Sequence, residues 1–270
     1  MIHEILDVQI NGSNAKLHTY ILNNSIEIDE NRIRPTVIIC PGGGYEFTSD
    51  REAEPIAIQM NALGFNACIL RYSVYPKTYP TSLLELAQSV AIVRENSDKW
   101  HVNKDKIIIA GFSAGGHLAA SLGVFWKKEF LAKQLRLSHE NIKPNGLLLS
   151  YPVITSGEYG HKESFKALLD ESYEKSLHEL SLENMVTKDT PPTFLWHTGT
   201  DEAVPVENSI LFANALLKNK ISIEMHIYPE GVHGLALGTE ETKSKHHSET
   251  VLHEVSNWIE MAGRWIRHLR

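Results

Sequence analysis

The sequence predicts an α/β protein built on a mostly parallel sheet with helices on both faces. Short continuous apolar runs, such as Thr36–Cys40 and Gly146–Val153, are typical of strands that are covered on both faces. Segments with apolar residues at helical spacing, such as 81–95, alternate with these runs along most of the chain. Strands that alternate with helices indicate parallel pairing, because each helix returns the chain to the starting edge of the sheet.

The first two strands differ from the others in pattern. Residues 4–10 and 16–22 alternate polar and apolar side chains, and Asn11-Gly12 supplies a turn between them, so we expect an antiparallel edge. The later strands are short apolar runs, predicted at 36–40, 66–71, 107–110, 146–153, 193–198 and 222–228. Helices are predicted from amphipathic spacing or from residues typical of helix ends. They are expected at 56–63, 81–95, 118–122, 205–218 and 248–269.

Three segments break this alternation. Residues 72–80 are rich in Tyr and Pro and are predicted to form a loop, while the polar run 127–145 is predicted to be a surface connection. Residues 155–190 are polar and contain only short helical patterns, at 163–170 and 172–179. We expect this last segment to be a small cap inserted into the fold.

Length and composition favour one domain over residues 1–270. The chain is 42% hydrophobic, which is enough for one sizeable core. The formal net charge is −7 and the basic residues are scattered, which argues against nucleic acid or an anionic membrane as a partner. With neither a signal-peptide pattern nor a run of about 18 apolar residues, we expect a cytoplasmic protein. Homo-oligomer formation is left open.

The stretch from Ile107 to Leu118 places a Gly-x-Ser-x-Gly pattern between a strand and a helix. Gly111 and Gly115 flank Ser113, because a side chain at either position would collide where strand and helix pack closely. This arrangement is typical of a nucleophile elbow, in which a strained turn exposes the serine hydroxyl at the end of a strand. The sequence therefore predicts Ser113 as a nucleophile.

A serine hydroxyl is a weak nucleophile at neutral pH, so it needs a base that accepts its proton and an acid that orients the base. For an elbow serine the expected chain order is serine, acid, histidine. Asp201 follows a late predicted strand, and His233 lies in a glycine-flanked loop after the next strand. We therefore expect Ser113, Asp201 and His233 to form the catalytic set.

Other readings of these positions remain open. Asp201 could instead cap the helix near Pro205, and Glu202 is the neighbouring rival acid. His226 lies within a predicted strand, and His117 is too close to the serine in sequence to be its base. We expect both histidines to be structural.

The triple glycine Gly42-Gly43-Gly44 directly follows a predicted strand. Without side chains its backbone can approach a substrate carbonyl closely, so its amides suit the oxyanion of a tetrahedral intermediate. The alternative, a phosphate-binding loop, requires glycine and lysine spacings that the following residues lack.

The cysteines and histidines do not suggest a metal site. Cys40 and Cys68 lie within predicted strands and are expected to be buried free thiols. The fourteen histidines are dispersed, and His246-His247 lacks a second ligand pair at a recognisable spacing. We predict no metal and no cofactor.

Three motifs together resemble the α/β-hydrolase superfamily, and more narrowly its carbohydrate-esterase branch of acetylxylan and xylan-operon esterases. They are Pro41-Gly42-Gly43-Gly44-Tyr45, Gly111-Phe112-Ser113-Ala114-Gly115-Gly116-His117-Leu118 and Tyr151-Pro152-Val153. The resemblance runs from about residue 30 to the C-terminus. It implies an eight-stranded sheet, a Ser-Asp-His triad and hydrolysis of short-chain esters, often on acetylated sugars.

The resemblance also assigns roles to individual residues. It gives the triad to Ser113, Asp201 and His233 and the oxyanion donors to the amides of Gly43, Gly44 and Ala114. The sequence departs from the His-Gly-Gly-Gly pattern of lipases, because Pro41 stands where the histidine would be. The amide donors are unaffected by this difference.

The expected substrate is an ester in which a short acyl group, above all acetyl, is attached to a soluble sugar or oligosaccharide. Tyr45, Tyr72 and Tyr75, with Tyr79 nearby, fall in loops at the expected carboxyl edge of the sheet and are predicted to stack on sugar rings. The other possibility is that some of them only pack the loop. The alternatives for function are a general carboxylesterase, a prolyl-oligopeptidase-like peptidase, which usually carries a large extra domain, and a non-catalytic binding protein, which would not need a triad.

Overall fold

The computed structural model describes residues 1–269, which form one eight-stranded sheet flanked by helices. Its strands are β1 Ile5–Val8, β2 Ala15–Tyr20, β3 Arg34–Cys40, β4 Asn66–Arg71, β5 Val102–Phe112, β6 Gly146–Ser150, β7 Thr193–Thr198 and β8 Ile223–Tyr228. Their order in the sheet is β1-β2-β4-β3-β5-β6-β7-β8. β1 and β2 pair antiparallel, as do β2 and β4, and the remaining pairs are parallel. The prediction of a mostly parallel sheet with an antiparallel edge is confirmed.

Helices cover both faces, as predicted. They are α1 Glu54–Ala62, α2 Thr81–Glu95, α3 Ser97–Trp100, α4 Ala114–Phe125, α5 Glu129–Leu135, α6 His139–Ile142, α7 Lys162–Leu169, α8 Tyr173–Ser176, α9 Glu207–Lys218 and α10 Trp258–His268. Buried side chains of α1 and α10 share one core with one face of the sheet, and those of α2, α4 and α9 share the core on the other face.

β5 shows why the central strands are apolar without alternation. Ile107 and Ile109 belong to the α2 and α4 side of the sheet, whereas Ile108, Ala110 and Phe112 belong to the α1 and α10 side. Successive side chains of a strand point to opposite faces, so a strand covered on both faces needs apolar residues at every position.

The predicted start of the closing helix was wrong. The closing helix begins at Trp258 rather than at residue 248, because the preceding polar residues form only 3₁₀ turns, Ser248–Thr250 and His253–Val255. The segment 127–145, predicted as a surface connection, contains the short helices α5 and α6. Leu131 of α5 is fully buried, and Phe130 and Leu135 pack against the same core, which stabilises this short helix.

The 155–190 segment packs on the α2 and α4 side of the sheet. It contains α7 and α8, followed by two 3₁₀ turns, close to the two short helices predicted at 163–170 and 172–179. Phe165 and Leu182 are buried in the core on that side. Among residues 1–269, no helix is both long and apolar enough to cross a membrane.

Candidate active site

Ser113 lies in the sharp turn between β5 and α4. Its backbone has φ 53° and ψ −120°, a conformation that residues other than glycine adopt only under strain. Two hydrogen bonds hold this peptide in place: the Ser113 amide donates to the carbonyl of Ser150 at 3.0 Å, and its carbonyl accepts from the Val153 amide at 3.0 Å. The turn therefore holds the serine at the carboxyl end of the strand, where it is partly exposed.

Close backbone contacts explain the two glycines of the elbow. A Cβ at Gly115 would lie 2.1 Å from the carbonyl oxygen of Cys40, and one at Gly111 would lie 2.3 Å from the carbonyl oxygen of Gly115. Real Cβ atoms do not approach backbone this closely, so both positions require glycine. The collision expected from the sequence is found in the structure.

Ser113, His233 and Asp201 form a continuous chain of hydrogen bonds. The His233 Nε2 atom lies 2.7 Å from Ser113 Oγ, and His233 Nδ1 lies 2.7 Å from Asp201 Oδ2. An ionised carboxylate only accepts, so the proton sits on Nδ1 and leaves Nε2 free to accept from the serine hydroxyl. The structure thus brings together the three residues that the sequence singled out.

Asp201 is held in its charged form. Burial alone would raise its pKa, but hydrogen bonds from His197 and His233 outweigh burial and hold the pKa of Asp201 well below its ordinary value. Its second oxygen, Oδ1, accepts from the amides of Ala203 and Val204 at 3.0 and 2.9 Å. Asp201 therefore closes the turn before α9, which itself begins only at Glu207.

The glycine loop after β3 is anchored at its first residues. The Pro41 carbonyl accepts from the Tyr72 hydroxyl at 2.6 Å, and the Gly42 amide donates to Glu52 Oε2 at 2.7 Å. The Gly42 carbonyl accepts from the Ser49 amide at 2.9 Å. These contacts fix both peptide groups that precede Gly43.

Three amides, two in the glycine loop and one directly after Ser113, form none of the backbone hydrogen bonds described for residues 1–269. The backbone hydrogen bonds described for residues 1–269 do not use the amides of Gly43 and Gly44. Ala114 is the first residue of α4, and the first amides of a helix have no partner within it. Gly43 and Gly44 have φ of 130° and 66°, backbone conformations that favour glycine.

The predicted substrate-binding role of Tyr45 and Tyr72 is wrong. Their rings are only 3% and 4% exposed, and burial raises the pKa of both phenols well above the ordinary value. The Tyr45 hydroxyl bonds His117 Nδ1 at 2.9 Å, while Tyr72 anchors the glycine loop. Both side chains therefore support the glycine loop from the protein interior and do not face a ligand. Tyr75 is 50% exposed and remains able to present its ring to a ligand.

Two further residues of the site escaped the sequence analysis. The hydroxyl of Tyr151 donates to Glu52 Oε1 at 2.7 Å and accepts from the Ala236 amide at 2.9 Å. The ring of Tyr151 packs edge-on against His233, with 5.1 Å between the ring centroids. Tyr151 belongs to a motif quoted above, but neither residue's sequence context pointed to these contacts.

A cavity of about 650 Å³ opens beside His233 and is bordered by Arg51, Thr200 and Val232. A larger one, of about 740 Å³, lies beside Arg264 and Trp265 of α10 and is lined by none of the three hydrogen-bonded residues. We take the smaller cavity as part of the candidate site, because only it contacts His233.

A serine at a strand-to-helix elbow on an eight-stranded, mostly parallel sheet defines an α/β-hydrolase. The BD-FAE family model matches residues 26–216, and the chain belongs to this family of α/β-hydrolase esterases. The resemblance inferred from the three motifs is thereby confirmed.

Relatives with curated names are longer than this chain. Endo-1,4-beta-xylanase B of Butyrivibrio fibrisolvens is 35% identical over 237 residues, covering 85% of this chain and 36% of the relative. Acetylxylan esterase of Xylanibacter ruminicola is 29% identical over 239 residues, covering 86% and 46%. This chain therefore spans less than half the length of either relative.

Solved structures match over nearly the whole chain. The acetyl ester-xyloside bifunctional hydrolase of Caldicellulosiruptor lactoaceticus is 35% identical, with a TM-score of 0.82, covering 98% of this chain and 95% of that one. The carboxylesterase Cest-2923 of Lactobacillus plantarum is 28% identical, with a TM-score of 0.87, covering 99% and 97%. Three of these four proteins carry the names of ester hydrolases.

Proposed function

We propose that this chain hydrolyses short-chain carboxylic esters through an acyl-enzyme on Ser113, and that its preferred substrates are acetylated sugars or oligosaccharides. The observation that carries the proposal is the hydrogen-bonded chain from Asp201 Oδ2 through His233 to Ser113 Oγ. This arrangement supplies a nucleophile, a base and an orienting acid.

The chemistry proceeds in two halves. His233 Nε2 takes the proton of Ser113 as Oγ attacks the ester carbonyl, and the same proton then goes to the departing alcohol. The acyl group stays on Oγ until a water molecule, deprotonated by His233, attacks it. The bond to Oγ then breaks, the proton passes from His233 back to Ser113 Oγ, and the acid is released. In this scheme, nucleophile, base and oxyanion donors all come from the protein chain.

The negative oxygen of each tetrahedral intermediate needs donors that are already in place. We assign this role to the amides of Gly43, Gly44 and Ala114. Gly42 packs against Ser113 and Ala114 directly follows it, and the three amides take part in none of the backbone hydrogen bonds described for residues 1–269. In a well-studied protease, one such donor contributes about 2.7–4 kcal/mol to lowering the barrier.

The proposed sugar acetate rests on two supports. Similar proteins include an acetylxylan esterase and an acetyl ester-xyloside hydrolase. Tyr75 is also half exposed and can stack on a sugar ring. A second candidate, a general carboxylesterase, is favoured by the similarity to Cest-2923 over nearly the whole chain.

One substrate panel tests the proposal. We expect kcat/KM to fall from acetyl through butyryl to octanoyl nitrophenyl esters, and to be higher for acetylated xylobiose than for a simple alkyl acetate. Ser113→Ala should lower kcat by about 10⁴ to 10⁶-fold with the fold intact by circular dichroism.

The possible outcomes separate the candidates. Preference for octanoyl esters, or no advantage of the sugar acetate, would favour the general carboxylesterase. Faster cleavage of an aminoacyl-prolyl amide would indicate a peptidase. Undiminished turnover by the Ser113→Ala variant would remove Ser113 from the mechanism.

A further inference from the structure

Glu52 is a buried carboxylate beside the site, and the mechanism above does not use it. It ends the 3₁₀ turn Asp50–Glu52, just before α1, and it is 4% exposed. Removing a carboxylate from water is costly unless its oxygens are hydrogen-bonded, so its partners are informative. Both partners belong to segments that shape the active site.

The donors around Glu52 can be assigned without ambiguity. The Ala236 amide can only donate, so its contact with Tyr151 uses an acceptor lone pair of the phenol oxygen. The Tyr151 proton is then directed at Glu52 Oε1, while the Gly42 amide donates to Oε2. Glu52 therefore accepts at both oxygens, as an ionised carboxylate does.

One side of this network fixes the glycine loop. Gly42 is packed so tightly that a Cβ there would lie 2.7 Å from Glu52 Oε2 and 2.9 Å from the Cβ of Ser113. The carboxylate thus holds the peptide of Gly42 directly against the nucleophile. Because the next two amides, those of Gly43 and Gly44, follow along the same turn, their direction depends on this anchor.

The other side of the network reaches the base. Tyr151 places its ring edge-on against His233, and its hydroxyl holds the Ala236 amide, three residues beyond that histidine. Tyr151 has φ 38°, so its own backbone is also held in an unusual conformation. A single carboxylate therefore links the glycine loop to the loop that carries the base.

We propose that Glu52 is a positioning residue that keeps the oxyanion donors and His233 in register with Ser113. The inference rests on the proposed ester hydrolysis and adds a residue to it. Small displacements of catalytic groups slow the reaction strongly, since a shift of about 1 Å can lower the rate about a hundredfold.

The test is the isosteric variant Glu52→Gln. An amide accepts at one end only. If its oxygen faces Gly42, its NH₂ group faces the Tyr151 hydroxyl, whose proton then loses its acceptor; in the opposite orientation the Gly42 amide loses its acceptor. We expect kcat per active site to fall about 10- to 100-fold, with KM changed less than about threefold. Active sites are counted by complete labelling of Ser113 with diethyl nitrophenyl phosphate. The Ki of a methyl trifluoromethyl ketone, which mimics the tetrahedral intermediate, should rise in step with the loss of kcat/KM.

Glu54→Gln is the matched control. Glu54 lies two residues further on, is exposed and accepts from a tyrosine hydroxyl, that of Tyr20, at 3.1 Å, but it does not contact either loop of the site. This variant should keep wild-type kcat per site. Tyr151→Phe, which keeps the ring and deletes the hydroxyl, should reproduce the loss seen in Glu52→Gln.

A purely structural role predicts a different result. In that case Glu52→Gln would reduce the melting temperature or the number of titrated sites but would leave kcat per titrated site and the ketone Ki unchanged, which overturns the proposal. If Glu52→Gln does not fold, unchanged kcat per site in Tyr151→Phe overturns it equally. A wild-type protein that is neither labelled nor active on esters would instead refute the proposed function itself.

Discussion

Asp201 uses its two carboxylate oxygens for different tasks. Oδ1 accepts from the amides of Ala203 and Val204, and Oδ2 orients His233. The two interpretations offered by the sequence, a capping residue and a catalytic acid, are therefore compatible in one side chain. Glu202, the neighbouring carboxylate, is exposed, whereas Asp201 is 5% exposed.

The Asp201→Asn variant should have a kcat about 10⁴-fold lower than wild type, while KM stays nearly constant. The two backbone amides at the Oδ1 position can only donate, so the amide oxygen of Asn must occupy that position. Its NH₂ group then faces His233 Nδ1 and favours the tautomer that protonates Nε2, which cannot accept the Ser113 proton. Steady-state kinetics on a nitrophenyl acetate measures the loss.

Glu202→Gln serves as the control for this prediction, because it makes the same chemical change at the adjacent exposed residue. It should retain kcat within about threefold of wild type, because His233 Nδ1 is bonded to Asp201. Since Glu202 borders the cavity beside His233, the comparison uses kcat rather than KM. If Glu202→Gln were the damaging change and Asp201→Asn the mild one, the acid would be misassigned.

The sequence could predict the residues that belong to a local motif or follow the expected order serine, acid, histidine. It could not predict the residues whose role depends on packing between distant segments. Ser113 could be identified from its two glycine neighbours, because the close packing of the turn requires glycine at both positions. Tyr45 was predicted to face a substrate from its position in a loop. That prediction failed because a loop sequence has no periodicity that distinguishes buried from exposed side chains. Glu52 bonds a residue 10 positions away and another 99 positions away, a pairing that only the folded chain creates.

At the scale of elements, α4 connects the elbow to the 155–190 segment through His117. Its Nε2 atom lies 3.0 Å from the carbonyl oxygen of Leu180, which can only accept, so the proton sits on Nε2. Its Nδ1 atom then accepts from the Tyr45 hydroxyl. The neutral ring thus joins the elbow helix, the glycine loop and the inserted segment.

This neutral histidine predicts a pH-dependent stability. Burial lowers the pKa of His117 to about 4, although the hydrogen bond to Leu180 opposes the shift. An unfolded histidine titrates near pH 6.5, so between about pH 4 and 6.5 the unfolded chain binds a proton that the folded chain does not. The free energy of unfolding should therefore decrease as pH falls through this window, by about 3 kcal/mol from this residue.

Urea unfolding at pH 7 and pH 4.5 measures the effect. A His117→Gln variant should show a smaller difference between the two pH values than wild type, whatever its absolute stability. A variant at the exposed His253 is the control and should keep the wild-type difference. Equal pH dependence in wild type and His117→Gln would show that other groups account for acid sensitivity.

Element boundaries were predictable where the hydrophobic period was strong. α2 was placed correctly at both ends, because its apolar residues repeat at helical spacing over four turns. The start of α10 was placed ten residues too early, since residues 248–257 form 3₁₀ turns that pack against the rest of the chain through the buried Val255. Propensity alone does not distinguish such turns from a helix.

At the scale of the whole molecule, the sheet separates two cores, and its central strands are inaccessible from either side. Cys40 in β3 and Cys68 in β4 are both completely buried free thiols on the α2 and α4 side, as the sequence predicted. Burial raises the pKa of Cys68 to about 12 and that of Cys40 further still. A thiol reagent needs the thiolate, so neither residue should react in the folded protein.

The two thiols therefore report on opening of the whole sheet. At pH 8, labelling by a disulfide reagent should be slow in buffer and should accelerate with urea in parallel with global unfolding, because β3 and β4 are neighbouring strands. Cys40→Ala and Cys68→Ala variants isolate each thiol, and denatured protein provides the fully reactive reference. The opening free energies of the two sites should agree with each other and with that of unfolding.

A difference between the thiols would be informative about the antiparallel edge. β4 pairs on one side with β2, whose only other neighbour is the edge strand β1, whereas β3 lies between β4 and β5. If Cys68 reacted at urea concentrations where Cys40 was still protected, the three-stranded edge would open before the parallel sheet that carries Ser113. Equal protection would instead mean that the sheet, its two cores and the active site form one cooperative unit.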